Sequence, residues 1–165
     1  MVIFKSILRL VWLLSVITCI ICSGCKTSKQ PVTTNAYRIP KTECVMNTAN
    51  DKVLLEVWAK GLNKSQAIIA AKKKAVEEIS FTGIHAGETS GVSYPLIDNP
   101  ITRELNSKFF NDFFSDKGRF NDFVREADKN YTETVQGDGF VLCRTRLIVD
   151  MADLLEYYKK KHVIE

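Results

Sequence analysis

The sequence predicts an α+β fold: a small antiparallel sheet with helices packed on one face, in the order β-α-loop-α-α-β-β-α. Three observations carry this. Apolar residues alternate over residues 53–59 and 140–149. They recur at helical spacing over residues 67–79 and 151–158. Gly137-Asp138-Gly139, whose residues tolerate positive φ, makes a turn between the last two strand-like runs.

In the first strand Val53, Leu55, Val57 and Ala59 form an apolar face, and Leu54, Glu56, Trp58 and Lys60 a partly wet one. Gly61 ends it. Asn63 caps the following helix, with Gln66 three residues on as in a capping box. Ala67, Ile68, Ala71, Ala75, Val76 and Ile79 make its apolar face, and the alanines let its axis lie close to a sheet. Residues 82–99 carry Gly83, Gly87, Gly91 and Pro95 and few periodic apolar positions; they read as a long loop, a type often functional or mobile. Asn99-Pro100 opens the next helix, with proline at its first position. Along it Ile101, Leu105, Phe109 and Phe113 recur every four residues, with Phe110 and Phe114 beside them. Asp116-Lys117-Gly118 stops the run, and Gly118 is expected to be a left-handed cap. A short helix then places Phe120, Phe123, Val124 and Ala127 on one face. Residues 131–136 form a weak strand and residues 140–149 the strongest one, with Val141, Cys143, Leu147 and Val149 opposite Arg144 and Arg146. Asp150 caps a final helix with a buried stripe of Met151, Leu154, Leu155 and Tyr158. Lys159, Lys160, Lys161 and His162 crowd its end, where positive charge suits the helix dipole.

Ahead of this domain lies a segment that resembles a bacterial lipoprotein signal peptide. Lys5 and Arg9 form a basic start, residues 10–21 are apolar apart from Ser15 and Thr18, and Ser23-Gly24 precede Cys25. Residues 10–22 span roughly 20 Å as a helix, short of a ~30 Å hydrocarbon core. An uncleaved anchor lengthened by Val2, Ile3 and Phe4, and an ordinary secretory signal, are the rival readings. Cys22 departs from the aliphatic residue that lipoprotein signals usually carry three positions before the cysteine. The resemblance implies a thioether-linked diacylglycerol on the Cys25 sulfur and an acyl chain, such as palmitate, on its amine. Two or more chains anchor a protein stably without crossing the membrane. Lys26, where an aspartate would suggest inner-membrane retention, favours the outer membrane, facing the periplasm. The expected organisation is signal peptide 1–24, polar lipidated tether 25–42 and a single α+β domain 43–165.

Removal of residues 1–24, which hold Lys5 and Arg9 and no acid, lowers the formal charge from +4 to +2. That balance, in an envelope compartment, does not suggest a nucleic-acid binder. Cys19 and Cys22 leave with the signal and Cys25 is lipidated, so Cys44 and Cys143 remain in an oxidising compartment. They are candidates for a disulfide; two independent thiols, with Cys143 a small buried apolar residue, are the alternative. No Cys-x-x-Cys, His-Glu-x-x-His, phosphate-loop or Gly-x-Ser-x-Gly motif is present, and no cofactor, metal site or catalytic residue is expected. His85, with Glu88 three residues on, reads first as an exposed loop imidazole. Lys72-Lys73-Lys74 and Lys159-Lys160-Lys161 read first as solvated helix faces, although lysines near a surface also attract anionic lipid.

Six of the nine phenylalanines lie between Phe109 and Phe123. An aromatic core seam is one reading. The other uses the arc swept by Phe109, Phe110, Phe113 and Phe114, too wide for one narrow stripe; these residues, with Trp58, form a candidate partner surface. The strand ending in Ala59-Lys60-Gly61 and the alanine-rich helix after it resemble the opening of the small α/β domain of bacterial outer-membrane lipoproteins and flagellar ring assembly proteins. Residues 147–164, with Val163-Ile164 near the end, are similar to its close. That resemblance implies a non-enzymatic envelope role and assigns no catalytic residue. The function expected is a non-catalytic lipoprotein that binds an envelope protein or helps assemble an envelope complex. A binder of a small envelope ligand such as a glycan or lipid is the alternative, and a hydrolase using His85 and a carboxylate is third.

Overall fold

The computed structural model describes residues 41–48, 51–87 and 92–165. The signal segment, Cys25, the tether up to residue 40 and Glu88 lie outside the described residues. The elements are β1 (Thr42–Thr48), β2 (Lys52–Gly61), α1 (Lys64–Phe81), α2 (Pro100–Leu105), α3 (Ser107–Phe113), a 3-10 turn Arg119–Phe123, β3 (Val124–Glu126), a second 3-10 turn Lys129–Tyr131, β4 (Glu133–Gln136), β5 (Val141–Asp150) and α4 (Met151–Lys160). The fold is α+β, with its strands paired antiparallel.

The sheet runs β1-β2-β5-β3. β2 occupies one edge of β5 along its whole length, from Lys52 opposite Asp150 to Gly61 opposite Val141. β3 and β4 therefore share the other edge in succession, β3 against residues 147–149 and β4 against residues 141–144. Between them the chain leaves the edge for the Lys129–Tyr131 turn, which returns Tyr131 to the sheet face without helices.

The core lies on one face. Val53, Leu55, Val57 and Ala59 of β2 meet Leu147 and Val149 of β5, and α1 lays Ala71, Ala75, Val76 and Ile79 over them. Small side chains bring α1 close, as its sequence implies. Asn63 Oδ1 accepts the Gln66 amide at 3.0 Å, and the Gln66 side chain accepts the Leu62 amide at 3.3 Å, so both side chains of the expected box are used. α4 adds Leu154 and Tyr158, both fully buried, while Met151 and Leu155 of the expected stripe are half-buried. Ser80 Oγ donates to the Val76 carbonyl at 2.7 Å, which leaves it to accept from the Tyr158 hydroxyl at 2.8 Å. Burial pushes the Tyr158 hydroxyl pKa up, so it stays a protonated donor.

Several expectations are corrected. An additional strand, β1, precedes the first one that the alternation shows: it pairs β2 from Thr42, and its pattern is broken by a register shift between Cys44 and Met46. The helix expected over Phe120 to Ala127 is a 3-10 turn followed by β3; Val124 pairs Val149, so tertiary pairing overrides a helical spacing of apolar residues. The helix opened by Pro100 is interrupted at Asn106, whose side-chain amide donates to the Thr102 carbonyl at 3.0 Å. Gly118 is not left-handed: its φ is −71. Glycine fits there because a Cβ would run into the Phe113 carbonyl. Gly139 does take the positive φ expected of its turn, at 71.

The long loop is anchored rather than loose in its described parts. Ile84 and Val92 pair through one backbone bond, and Leu96 and Ile97 donate to the carbonyls of Ile79 and Ser80 at 3.0 and 2.9 Å. Cys44 takes the Ala86 carbonyl at 2.8 Å, so this segment also covers part of the β1 edge.

Candidate functional site

The sheet face turned away from the helices carries a cluster of charged groups. Pleating places Glu56 and Trp58 of β2 beside Arg146 and Arg144 of β5, and Glu133 of β4 beside Arg144. Arg144 donates through Nε to Glu56 Oε1 at 2.6 Å and also reaches Glu133 at 3.3 Å. The Tyr131 hydroxyl donates to Glu56 Oε2 at 2.8 Å, and the Arg146 guanidinium lies 3.7 Å from the Tyr131 ring centre. Burial pushes the Glu56 carboxyl up, but the Tyr131 and Arg144 hydrogen bonds and the charges of both arginines outweigh it and hold it below its ordinary value. Both oxygens of this ionised carboxylate are occupied by donors. It is a poor proton acceptor and a good clamp between β2, β5 and the Tyr131 turn. The strand alternation places Glu56, Arg144 and Arg146 on half-wet faces; only the register shows that they meet.

The sequence candidates fall elsewhere. Phe110, Phe113 and Phe114 are 4%, 2% and 6% exposed, and Phe109 is half-buried against the same core, so these rings are not an open partner surface. They surround Tyr158 and Tyr157: Phe113 lies 5.6 Å from the first and 5.7 Å from the second, centre to centre. The wide arc they sweep is filled by α1, α4 and the Arg119–Phe123 turn together, which a single helical stripe would not require. Trp58 is buried as well, with the Arg144 guanidinium 5.8 Å from its ring.

The expected disulfide is corrected too. Cys44 stands opposite Leu55 and Cys143 opposite Ala59, on strands flanking β2. That register separates them by about 10 Å across the sheet and about 13 Å along it, beyond the ~7 Å limit between bridged Cα atoms. They are not joined to each other. Burial pushes the Cys143 thiol up, which keeps it a core side chain rather than a nucleophile. His85 is exposed, with Nε2 3.3 Å from the Thr82 carbonyl. No group of three or more His, Cys, Asp or Glu able to hold a metal occurs among the described residues.

What the fold does present is a stepped surface along the outer side of α1. A hollow of about 670 Å³ is floored by Leu62, Ile69, Ala70 and Phe140. A second, of about 470 Å³, lies between Glu77 of α1 and Arg103, Glu104, Ser107 and Asn111 of α2 and α3. Lys73 lines both, so the two adjoin. Leu62 is 75% exposed and Ile69 37% exposed. α2 buries no residue, and Ile101 and Leu105, one turn apart, are 56% and 80% exposed. It is held by its polar side instead, Arg103 bonding Glu77 at 2.9 Å and covering the Phe81 ring at 4.5 Å. The four-residue recurrence identifies Ile101 and Leu105, but it assigns them to the core face; the break at Asn106 turns them outward.

No family model, curated protein or solved structure matches the chain.

Proposed function

We propose that the protein is a non-catalytic lipoprotein, held on the periplasmic side of the outer membrane through lipid on Cys25, whose domain docks an envelope protein through the outer side of α1. The observation that carries this is the hollow lined by Leu62, Ile69, Ala70 and Phe140 together with Lys60, Gln66, Lys73 and Asp116, with Leu62 and Ile69 exposed. Exposed aliphatic side chains gathered around a concavity mark interaction sites. The chemistry of the charged cluster points the same way: its carboxylate is saturated and ionised, a structural arrangement.

A photo-reactive side chain in place of Ile69 tests this in the native envelope. A discrete adduct of protein mass is expected from position 69, and none from a control at Met46, which is 50% exposed on the edge strand β1. No protein adduct at position 69, or the same adduct from both positions, would contradict it.

A further inference from the structure

The hollow has a charge signature that specifies its occupant more closely. Resting on the docking role above, we propose that the segment seated there is a short acidic and apolar stretch of the partner protein. Its apolar side chain lies on Leu62, Ile69 and Phe140, and its carboxylates meet Lys60 and Lys73.

Three features lead to this. Neighbouring cations on the same helix are neutralised within the fold: Lys72 pairs Glu126 at 3.3 Å and Lys74 pairs Glu78 at 3.5 Å. Lys73, between them, points into the hollow and makes no ion pair among the described residues. Lys60 makes none either; its ammonium lies 3.8 Å from the Phe140 ring centre, at the apolar floor. Asp116 is the one carboxylate lining this hollow, and it is ion-paired with neither lysine, so the rim carries a net positive charge. In the adjoining hollow, which Lys73 also lines, Glu77 and Arg103 pair and Glu104 is a second carboxylate. Opposite charges across an interface set partner choice and register more than bulk affinity.

Shape selects a polypeptide rather than a bilayer. The lining residues Gln66, Ile69 and Lys73 follow one stripe of α1, about 10 Å long at ~1.5 Å per residue, and Leu62 precedes its cap. That length suits about two helical turns or about three extended residues. A flat lipid surface would touch Leu62 and miss the recessed Ala70, which is only partly exposed.

The test uses the full lipidated chain with the photo-reactive group at position 69, combined with Lys60→Glu/Lys73→Glu or with Lys60→Gln/Lys73→Gln. Lys60 is exposed and Lys73 half-exposed, so the fold should tolerate both pairs, as a thermal melt can check. Adduct yield is expected to fall at least about tenfold with the glutamates and about threefold with the glutamines. The glutamine pair should also lose most of the salt dependence of the parent, and it carries the test alone if the glutamate pair misfolds. An unchanged or higher yield with either pair overturns the acidic occupant while the docking role stands. An adduct of phospholipid mass overturns a protein occupant. Loss of the adduct in the parent chain removes the docking role and this inference with it.

Discussion

Phe113→Ala is expected to cost about 3–5 kcal/mol of folding stability, read from the urea midpoint of the purified protein. Phe113 is 2% exposed and touches five other rings, those of Phe109, Phe114, Phe123, Tyr157 and Tyr158. Those rings come from α3, α4 and the 3-10 turn, so the cavity left by alanine cannot close by moving one element. Against a total stability of about 5–15 kcal/mol for a domain of this size, the loss is severe. Leu105→Ala is the paired control. Leu105 is 80% exposed and should change stability by no more than about 0.5 kcal/mol. A small effect of Phe113→Ala would return the phenylalanines to the partner surface.

Glu56→Ala is expected to cost about 2–3 kcal/mol. Removing one partner of a buried ion pair costs about 3–5 kcal/mol where the other charge stays dry. Here the side chains of Arg144 and Arg146 are 30% and 37% exposed, so water recovers part of it. Arg144 keeps Glu133 at 3.3 Å, whereas Arg146 loses its acidic neighbour. The sign of the pH effect follows from the lowered Glu56 pKa. Its stabilisation is complete above the ordinary carboxylate value of 4.5 and is lost as pH falls through the lower folded value. Asp150, also held low although burial raises it, by Lys52 at 2.6 Å and the Asp153 amide, adds to the same acid limb. Glu56→Gln should therefore flatten the loss of stability between about pH 5 and the folded value while keeping the sheet. A parent-like acid limb in Glu56→Gln would show that the cluster does not clamp the sheet.

Legibility in the sequence followed the range of the interactions. α1, α4, β2 and β5 declare themselves through local spacing and caps: Asn63, Asn99 and Asp150 each accept the backbone amide that a cap requires. β3 does not, because it is specified by Val149, 25 residues on from Val124, and β1, although it pairs the next strand with Thr48 opposite Lys52, has its alternation broken by the register shift between Cys44 and Met46. The same limit hid the cluster. Glu56 and Arg144 are 88 residues apart, and nothing local says that they share a row. The phenylalanine run left two readings open. Its excess of aromatic positions allowed a surface beside the core seam, and the core seam is what burial shows: three elements converge on the run, so a wide arc can be core. Cys44 and Cys143 show why pairing by elimination fails: the sheet holds both in ladders that keep them apart.

The proposed docking role depends on the proposed lipid anchor at Cys25. The direct measurement is the intact mass and amino-terminal sequence of the mature chain recovered from its native membrane. The expected result is a polypeptide that starts at Cys25, carries a diacylglycerol on sulfur and an acyl chain on nitrogen, and loses both in Cys25→Ala. A chain running intact from Met1, or one starting elsewhere with an unmodified cysteine, would contradict the account.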